Sequence, residues 1–230
     1  MSPCDFTDLN EAGLNLQAVI DFAQLPPATA GEIRRHCDPQ GNYRQLILIG
    51  HAGKTLWESV QASGIESSDP IDDFTARTVS QWFAAQFPGI AHALAYPGDA
   101  PLGLQSLGQI AGWHQPSPFM IGINAEWGSW YAYRAVLLTA TDLEPTAPLP
   151  SPSPCGSCQD RPCVSSCPGK ALEGKFSLDR CVAYRLSPDS RCQHTCIARI
   201  SCPVGSQHRY SDEQLRHSYC RSLQAIRDYY

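Results

Sequence analysis

Apolar residues gather into short runs divided by strong turn signals. Between Asn10 and Ala23, Leu14, Val19, Ile20 and Phe22 mark the apolar side of an amphipathic helix, which Leu25-Pro-Pro-Ala28 would end. Gln45-Leu-Ile-Leu-Ile-Gly50 is a short apolar run closed by glycine and predicts a buried strand. A helix over about 54–62 should follow, and Asp72 or Asp73 caps another that runs to Phe87 before Pro88-Gly89. Ala91–Tyr96 predicts a second strand, with a turn at Pro97-Gly98-Asp99. Phe119–Ile123 and Trp130–Leu138 predict two more, joined by a loop containing Glu126–Ser129. Mixed strands and helices over residues 1–143 suggest a two- or three-layer α/β core.

The pattern breaks at 144–154, where five prolines predict a stiff, extended linker. Residues 155–230 then read as a second domain of different character. Its first block is Cys155-x2-Cys158-x4-Cys163-x3-Cys167-Pro168. Cys181 follows alone, and Cys192-x3-Cys196-x5-Cys202-Pro203 closes the set. Cys-rich runs that end in Cys-Pro and occur twice are the signature of a ferredoxin-type module with two [4Fe-4S] clusters. In such modules the fourth cysteine of a run ligates the other cluster. The expected sets are therefore Cys155, Cys158, Cys163 and Cys202, and Cys167, Cys181, Cys192 and Cys196. Zinc is the competing metal, since Cys-x2-Cys also opens zinc ribbons. Cys4, Cys37 and Cys220 are left over and read as ordinary thiols.

Composition refines this picture. Of 230 residues, 43% are hydrophobic and 17% charged, as in a core-forming chain. No apolar run approaches the ~20 residues of a membrane span, so no membrane association is expected. The N-terminus lacks the basic and apolar regions of a signal peptide. A cytoplasmic location follows as an expectation, and there thiols stay reduced and available to metal. The net charge of −5 divides into −9 over residues 1–150 and +4 over 151–230. A basic tail can indicate nucleic acid. Two anionic clusters would absorb most of it.

Candidate chemistry in the first domain is less sharply marked. Asp99 is a candidate proton donor, or simply a turn residue. Arg134 interrupts an apolar strand and needs a partner, a bound anion being one. Trp113, Trp127, Trp130 and Tyr131, with Tyr133, either pack a core or line a large flat cofactor. His114 reads as structural. Gly50-His-Ala-Gly-Lys-Thr55 follows a strand, but two residues between its glycines do not make a nucleotide-phosphate loop.

Leu107–Trp113 and Ile121–Leu143, with the order of the eight cysteines, resemble the epoxyqueuosine reductases. Gly128-Ser-Trp-Tyr-Ala-Tyr-Arg-Ala135 is similar to a strand of the vitamin B12-processing CblC proteins. The resemblance implies an α+β protein: a nitroreductase-like α/β domain that binds cobalamin, then a bacterial-ferredoxin-like domain. It implies a cobalamin-dependent reductase or a cobalamin reductase, with a corrinoid or small-molecule substrate. Flavodoxin or ferredoxin would donate the electrons. Epoxyqueuosine reduction on tRNA, a non-catalytic B12 chaperone or electron carrier, and FMN in place of cobalamin stay as alternatives. The family's tRNA-holding helical region follows its clusters, and only residues 203–230 follow them here, which disfavours tRNA. The family's catalytic aspartate segment is matched loosely by Asp99–Gln105, without its glutamate.

Overall fold

The computed structural model describes residues 4–150 and 152–230. The chain divides into two compact units: the described residues up to His114 together with Tyr131–Pro150, and Gln115–Trp130 together with residues 152–230.

The first unit is built on a sheet. Helix α1 (Thr7–Glu11) leads into β1 (Leu16–Asp21), α2 (Pro27–Cys37), β2 (Gln45–Ala52), α3 (Thr55–Ala62), α4 (Pro70–Gln86), β3 (His92–Tyr96), α5 (Leu104–Ile110) and β4 (Tyr131–Thr139). The strands form one sheet in the order β1-β2-β4-β3, every pair antiparallel. All eight residues of β2 are buried, which explains its unbroken apolar run. Ile47 and Ile49 face α3 and α4 through Leu56, Val60, Phe74, Val79 and Phe83. On the opposite face Leu46, Leu48 and Leu138 are equally inaccessible. Helix α4 begins at Pro70, carries Asp72 and Asp73 in its first turn, and stops at Phe87 before Pro88-Gly89. Its start follows from the N-terminal preference for proline and acid, and its end from the proline and glycine that follow.

Residues 10–23 are not a helix. α1 stops at Glu11, Gly13 turns the chain at φ +83°, and β1 pairs with β2 from Leu16 to Asp21. Leu14, Leu16, Ala18, Ile20 and Phe22 are all buried at every second position, so the period of two prevails over the helical spacing. A Cβ on Gly13 would lie 2.2 Å from the backbone nitrogen of Leu56, so this turn packs directly on the start of α3. α2 had no clear sequence signal because Ile33 is its buried residue on an otherwise polar helix.

The proline-rich segment is part of this unit rather than a free linker up to Pro150. The Thr146 N–H donates to the Val19 carbonyl at 2.9 Å, and the Val19 N–H donates to Thr146 Oγ1 at 3.0 Å. The Leu149 N–H donates to the Ala111 carbonyl at 3.1 Å, against Gly112. There a Cβ on Gly112 would meet the Leu149 oxygen at 2.1 Å.

The described residues of the second unit hold four α-helices, α6 (Pro162–Ser165), α7 (Leu178–Leu186), α8 (Ile197–Ile200) and α9 (Asp212–Tyr229), and a short 3-10 turn at Ser206–His208. Ser177 and Ser211 cap α7 and α9 by accepting from the N–H groups of Arg180 and Gln214. Residues 115–130 belong here, although the sequence pattern assigned them to the first domain. Their expected strand at 119–123 is absent, and single bridges join Gln115 to Ile123 and Asn124 to Gly128. The reason is a contact distant in sequence: Phe119 packs with Cys163, Leu172 and Ala198. Gly128, at φ +58°, fits against Val204, whose oxygen would lie 2.0 Å from an added Cβ. No helix of the described residues is long and apolar enough to cross a membrane.

Candidate functional site

Eight cysteines of the second unit fall into two groups through their electrostatic neighbours, and Cys220 stands apart with its sulfur 3.1 Å from His194 Nδ1. Burial first, and then the charges of Cys202, Cys163 and Cys158, push the Cys155 thiol up. Cys163 is raised by burial and then by Cys202 and Cys158. In the other group, burial raises Cys181, and Cys167 and Cys192 are its cysteine neighbours. Cys192 has Cys167 beside it, and Cys196 has Cys192 and Cys181. Backbone amides point at several sulfurs: Val164 at Cys163, Ile197 at Cys192, Arg199 at Cys196 and Val204 at Cys202. Ile197 and Arg199 are the first and third residues of α8, where a helix start leaves N–H groups without an intrahelical carbonyl. The Val164 N–H, by contrast, also donates to the Arg161 carbonyl at 2.8 Å. All eleven cysteines are free thiols.

Cys167, Cys181, Cys192 and Cys196 share one cavity of about 340 Å³. Phe119 and Leu172 help form its apolar wall, and Arg185 and Arg199 reach it from α7 and α8. Both arginines are buried. Arg185 donates to the Cys192 carbonyl (3.2 Å), Ser222 Oγ (2.9 Å) and the Tyr219 carbonyl (3.1 Å). Arg199 donates to Ser129 Oγ (3.3 Å) and the Ser129 carbonyl, and stacks over Trp130 at 4.4 Å and Tyr210 at 5.0 Å. Among the described residues neither guanidinium pairs with a carboxylate. Burial, with Cys196 next, pushes the Tyr219 hydroxyl up to about 12. Sequence reasoning passed over these two arginines. The signal available was the one that marked Arg134: a cation inside an apolar run, as in Ile197-Ala-Arg-Ile200.

In the sheet unit, Arg134 has protein partners. Its Nε donates to His51 Nδ1 at 3.0 Å, and a terminal nitrogen lies 3.9 Å from Asp72. Arginine has no acceptor, so His51 Nδ1 must accept and its proton sits on Nε2. Burial raises the nearby Tyr96 hydroxyl, Asp72 adds to this and Arg134 opposes it. Asp99 lies exposed in a bend after β3. Trp113 stacks parallel to Tyr133 at 6.3 Å, and Tyr131 meets Tyr133 edge-on. The Tyr133 hydroxyl lies 3.3 Å from His114 Nδ1. Burial pushes Tyr133 up to about 12 and His114 down.

The aromatic candidates are thus divided. Trp113 and Tyr131 are buried in the sheet unit, Trp127 and Trp130 in the cysteine unit. Trp130 packs against Tyr210 and Leu215. Each ring has packing of its own, which is the plainer of the two roles expected for it.

No protein-family model matches the chain, and no curated protein matches its sequence. Solved structures share its fold. It is similar to epoxyqueuosine reductase from Streptococcus thermophilus, at TM-score 0.51 and 14% identity, over 86% of this chain and 64% of that one. It is similar to an epoxyqueuosine reductase solved with a tRNA-Tyr epoxyqueuosine-modified stem loop, at 0.58 and 14%, over 92% and 67%. It is also similar to the Caenorhabditis elegans B12-trafficking protein CblC, at 0.50 and 12%, over 96% and 92%. The chain therefore spans 64% of the length of the streptococcal reductase. What these likenesses define is a mixed α/β fold with a four-stranded antiparallel sheet.

Proposed function

We propose that this chain is an iron–sulfur oxidoreductase that holds two [4Fe-4S] clusters and delivers single electrons to a corrinoid. The observation that carries the reading is the cavity of Cys167, Cys181, Cys192 and Cys196, with two buried arginines beside it that meet no carboxylate among the described residues. An uncompensated buried cation is costly. Four thiolates around a ferric–ferrous cluster carry about −2 in total, so Arg185 and Arg199 would balance that charge. Zinc is the competing metal for such a set. The proposal of clusters over zinc rests on eight cysteines in two runs that each close with Cys-Pro.

Cys155, Cys158, Cys163 and Cys202 would hold one cluster, and Cys167, Cys181, Cys192 and Cys196 the other. When bound, the clusters supply one-electron carriage. The protein's part is to donate thiolates, aim amide N–H groups at the sulfurs, and keep water out with Phe119 and Leu172. Free thiols throughout suit a reducing compartment such as the cytoplasm. Flavodoxin or ferredoxin is the proposed donor. The corrinoid is proposed as acceptor because the fold is common to a B12-trafficking protein and to reductases. In the sheet unit, Arg134 beside Asp72 is the candidate anchor for it, and Asp99 the candidate proton donor.

A second reading, reduction of a tRNA-borne epoxide, is favoured by the +4 charge of residues 151–230 and by the neighbour solved with a tRNA stem loop. It requires affinity for tRNA that falls steeply with salt.

Anaerobic reconstitution followed by titration with hydroxocobalamin tests the main reading. The expected result is roughly eight iron atoms per chain, and cobalt reduction faster than that of free hydroxocobalamin under the same reductant. Bound zinc without iron removes the cluster assignment. Full iron with an unperturbed corrin spectrum removes the acceptor.

A further inference from the structure

The two cysteine sets differ in the charge that surrounds them. Around Cys167, Cys181, Cys192 and Cys196 stand two buried guanidiniums, Arg185 and Arg199. Each is held in place. Arg185 is tied to backbone and side-chain oxygens of Cys192, Ser222 and Tyr219, and Arg199 to Ser129 and the faces of Trp130 and Tyr210. Beside the other set, Arg161 is the cation that acts on Cys155, and it is exposed to solvent. A buried charge is screened far less than an exposed one. Among the described residues neither buried arginine pairs with a carboxylate that would cancel it.

We infer that Arg185 and Arg199 make the set Cys167, Cys181, Cys192 and Cys196 the electron sink of the protein. An electron that enters then settles there, and the set of Cys155, Cys158, Cys163 and Cys202 is the relay. This rests on the proposed presence of two clusters and deepens that reading by assigning a direction. The electron balance is simple. A one-electron donor of the reduced flavodoxin or ferredoxin class is oxidised by one electron, and the iron held by the second set is reduced by one. No proton or bond need change. The added negative charge is stabilised by two fixed cations already within the same apolar shell. Charge near a cluster, hydrogen bonds to its sulfurs and exposure to solvent are the levers that set its potential. Arg185 and Arg199 are thus positioning residues that act through the cluster environment.

The test is a potentiometric titration of the reconstituted full-length protein, followed by low-temperature electron paramagnetic resonance. At one electron per chain, the reduced signal should belong to the second set. A Cys181→Ser substitution should alter or abolish that first signal, whereas Cys158→Ser should leave it unchanged. Arg185→Gln and Arg199→Gln should each shift the electron's distribution between the sets at least tenfold towards the first. For a one-electron couple that corresponds to a potential lower by about 59 mV. Arg199→Lys should restore most of the shift, which a merely structural role would not do. The inference is overturned if Cys158→Ser alters the first signal, or if both glutamine variants keep the wild-type potentials. Should the arginine variants fail to fold, the cysteine assignments in the otherwise unaltered protein still decide the direction. The two readings fail separately. Too little iron or no reduced signal removes the clusters, while roughly eight irons with the opposite order removes only the direction.

Discussion

The sheet unit and the cysteine unit reach order by different routes. In the first, apolar side chains from three strands and three helices close a continuous core, with Ile47, Leu56, Val79, Phe83 and Leu137 at or near zero exposure. In the second, the apolar groups are small and separate: Phe119, Leu172 and Ala198 around Cys163, and Trp130 with Tyr210 and Leu215. Two of its helices are a single turn long. The difference teaches where each unit keeps its stability: the sheet unit in one continuous buried core, the cysteine unit in small separate clusters. To these the proposed metal would add, since metal binding to thiolates contributes folding free energy.

The strongest way to break that contrast is to take away the metal proposed for the cysteine unit. Anaerobic chelation of the full-length protein should abolish amide-exchange protection across residues 115–130 and 152–230 and leave β2 and β4 protected. Equal protection in both units after chelation would end the comparison. The complementary change is Ile47→Ala. Emptying that position should cost the sheet unit about 2–5 kcal/mol, seen as an earlier denaturant midpoint by exchange or far-ultraviolet dichroism. The midpoint for loss of visible cluster absorption should stay where it was. A shift of both midpoints together would mean that the units share one cooperative core.

A smaller effect sharpens the boundary. Gly128 adopts φ +58°, and a Cβ there would press on the Val204 carbonyl at 2.0 Å. Gly128→Ala should therefore cost about 1–3 kcal/mol, and the cost should appear in cluster bleaching rather than in unfolding of the sheet. If the sheet unit is the one destabilised, residues 115–130 have been assigned to the wrong unit.

That arm also shows what the sequence could and could not reveal. The cysteine spacing is a local signature, and the two ligand sets are proposed from it. β2 was legible from its apolar run, and α4 from Pro70 and acid in its first turn and Pro88-Gly89 after its end. Asp69 rather than Asp72 or Asp73 stands at the N-cap position of α4, and neither α3 nor α4 has a side-chain cap. β1 was misread because Leu14 to Phe22 satisfy both periods in part, and pairing with β2 decided between them. The arm's membership was hidden for a different reason. Phe119 and Ile121 look like strand residues until the cysteine core they cover is in view, and that core lies far along the chain. Arg185 and Arg199 carry the same local pattern as Arg134, but the groups that hold them, Ser222, Tyr219 and Ser129, lie far from them along the chain. For Arg134 the local signal did work, and His51 and Asp72 answer it.

The finest test concerns His114, at the end of the sheet unit's first segment. Burial lowers its pKa, so the folded state holds the ring neutral where the unfolded chain would protonate it. The sign follows. Stability contributed by the neutral ring is fully present above the unfolded value near 6.5 and is lost as pH falls through the lower, folded value. Between about pH 7 and about pH 5 the wild-type sheet unit should therefore lose more stability than His114→Asn. Asparagine still offers the Tyr133 hydroxyl a partner but cannot be protonated in that range. Denaturant midpoints of the sheet unit, taken at several pH values for both proteins, should diverge on the acid side and run parallel above it. Parallel curves throughout would show that the ring near Tyr133 reaches water freely enough to titrate as it does in the unfolded chain.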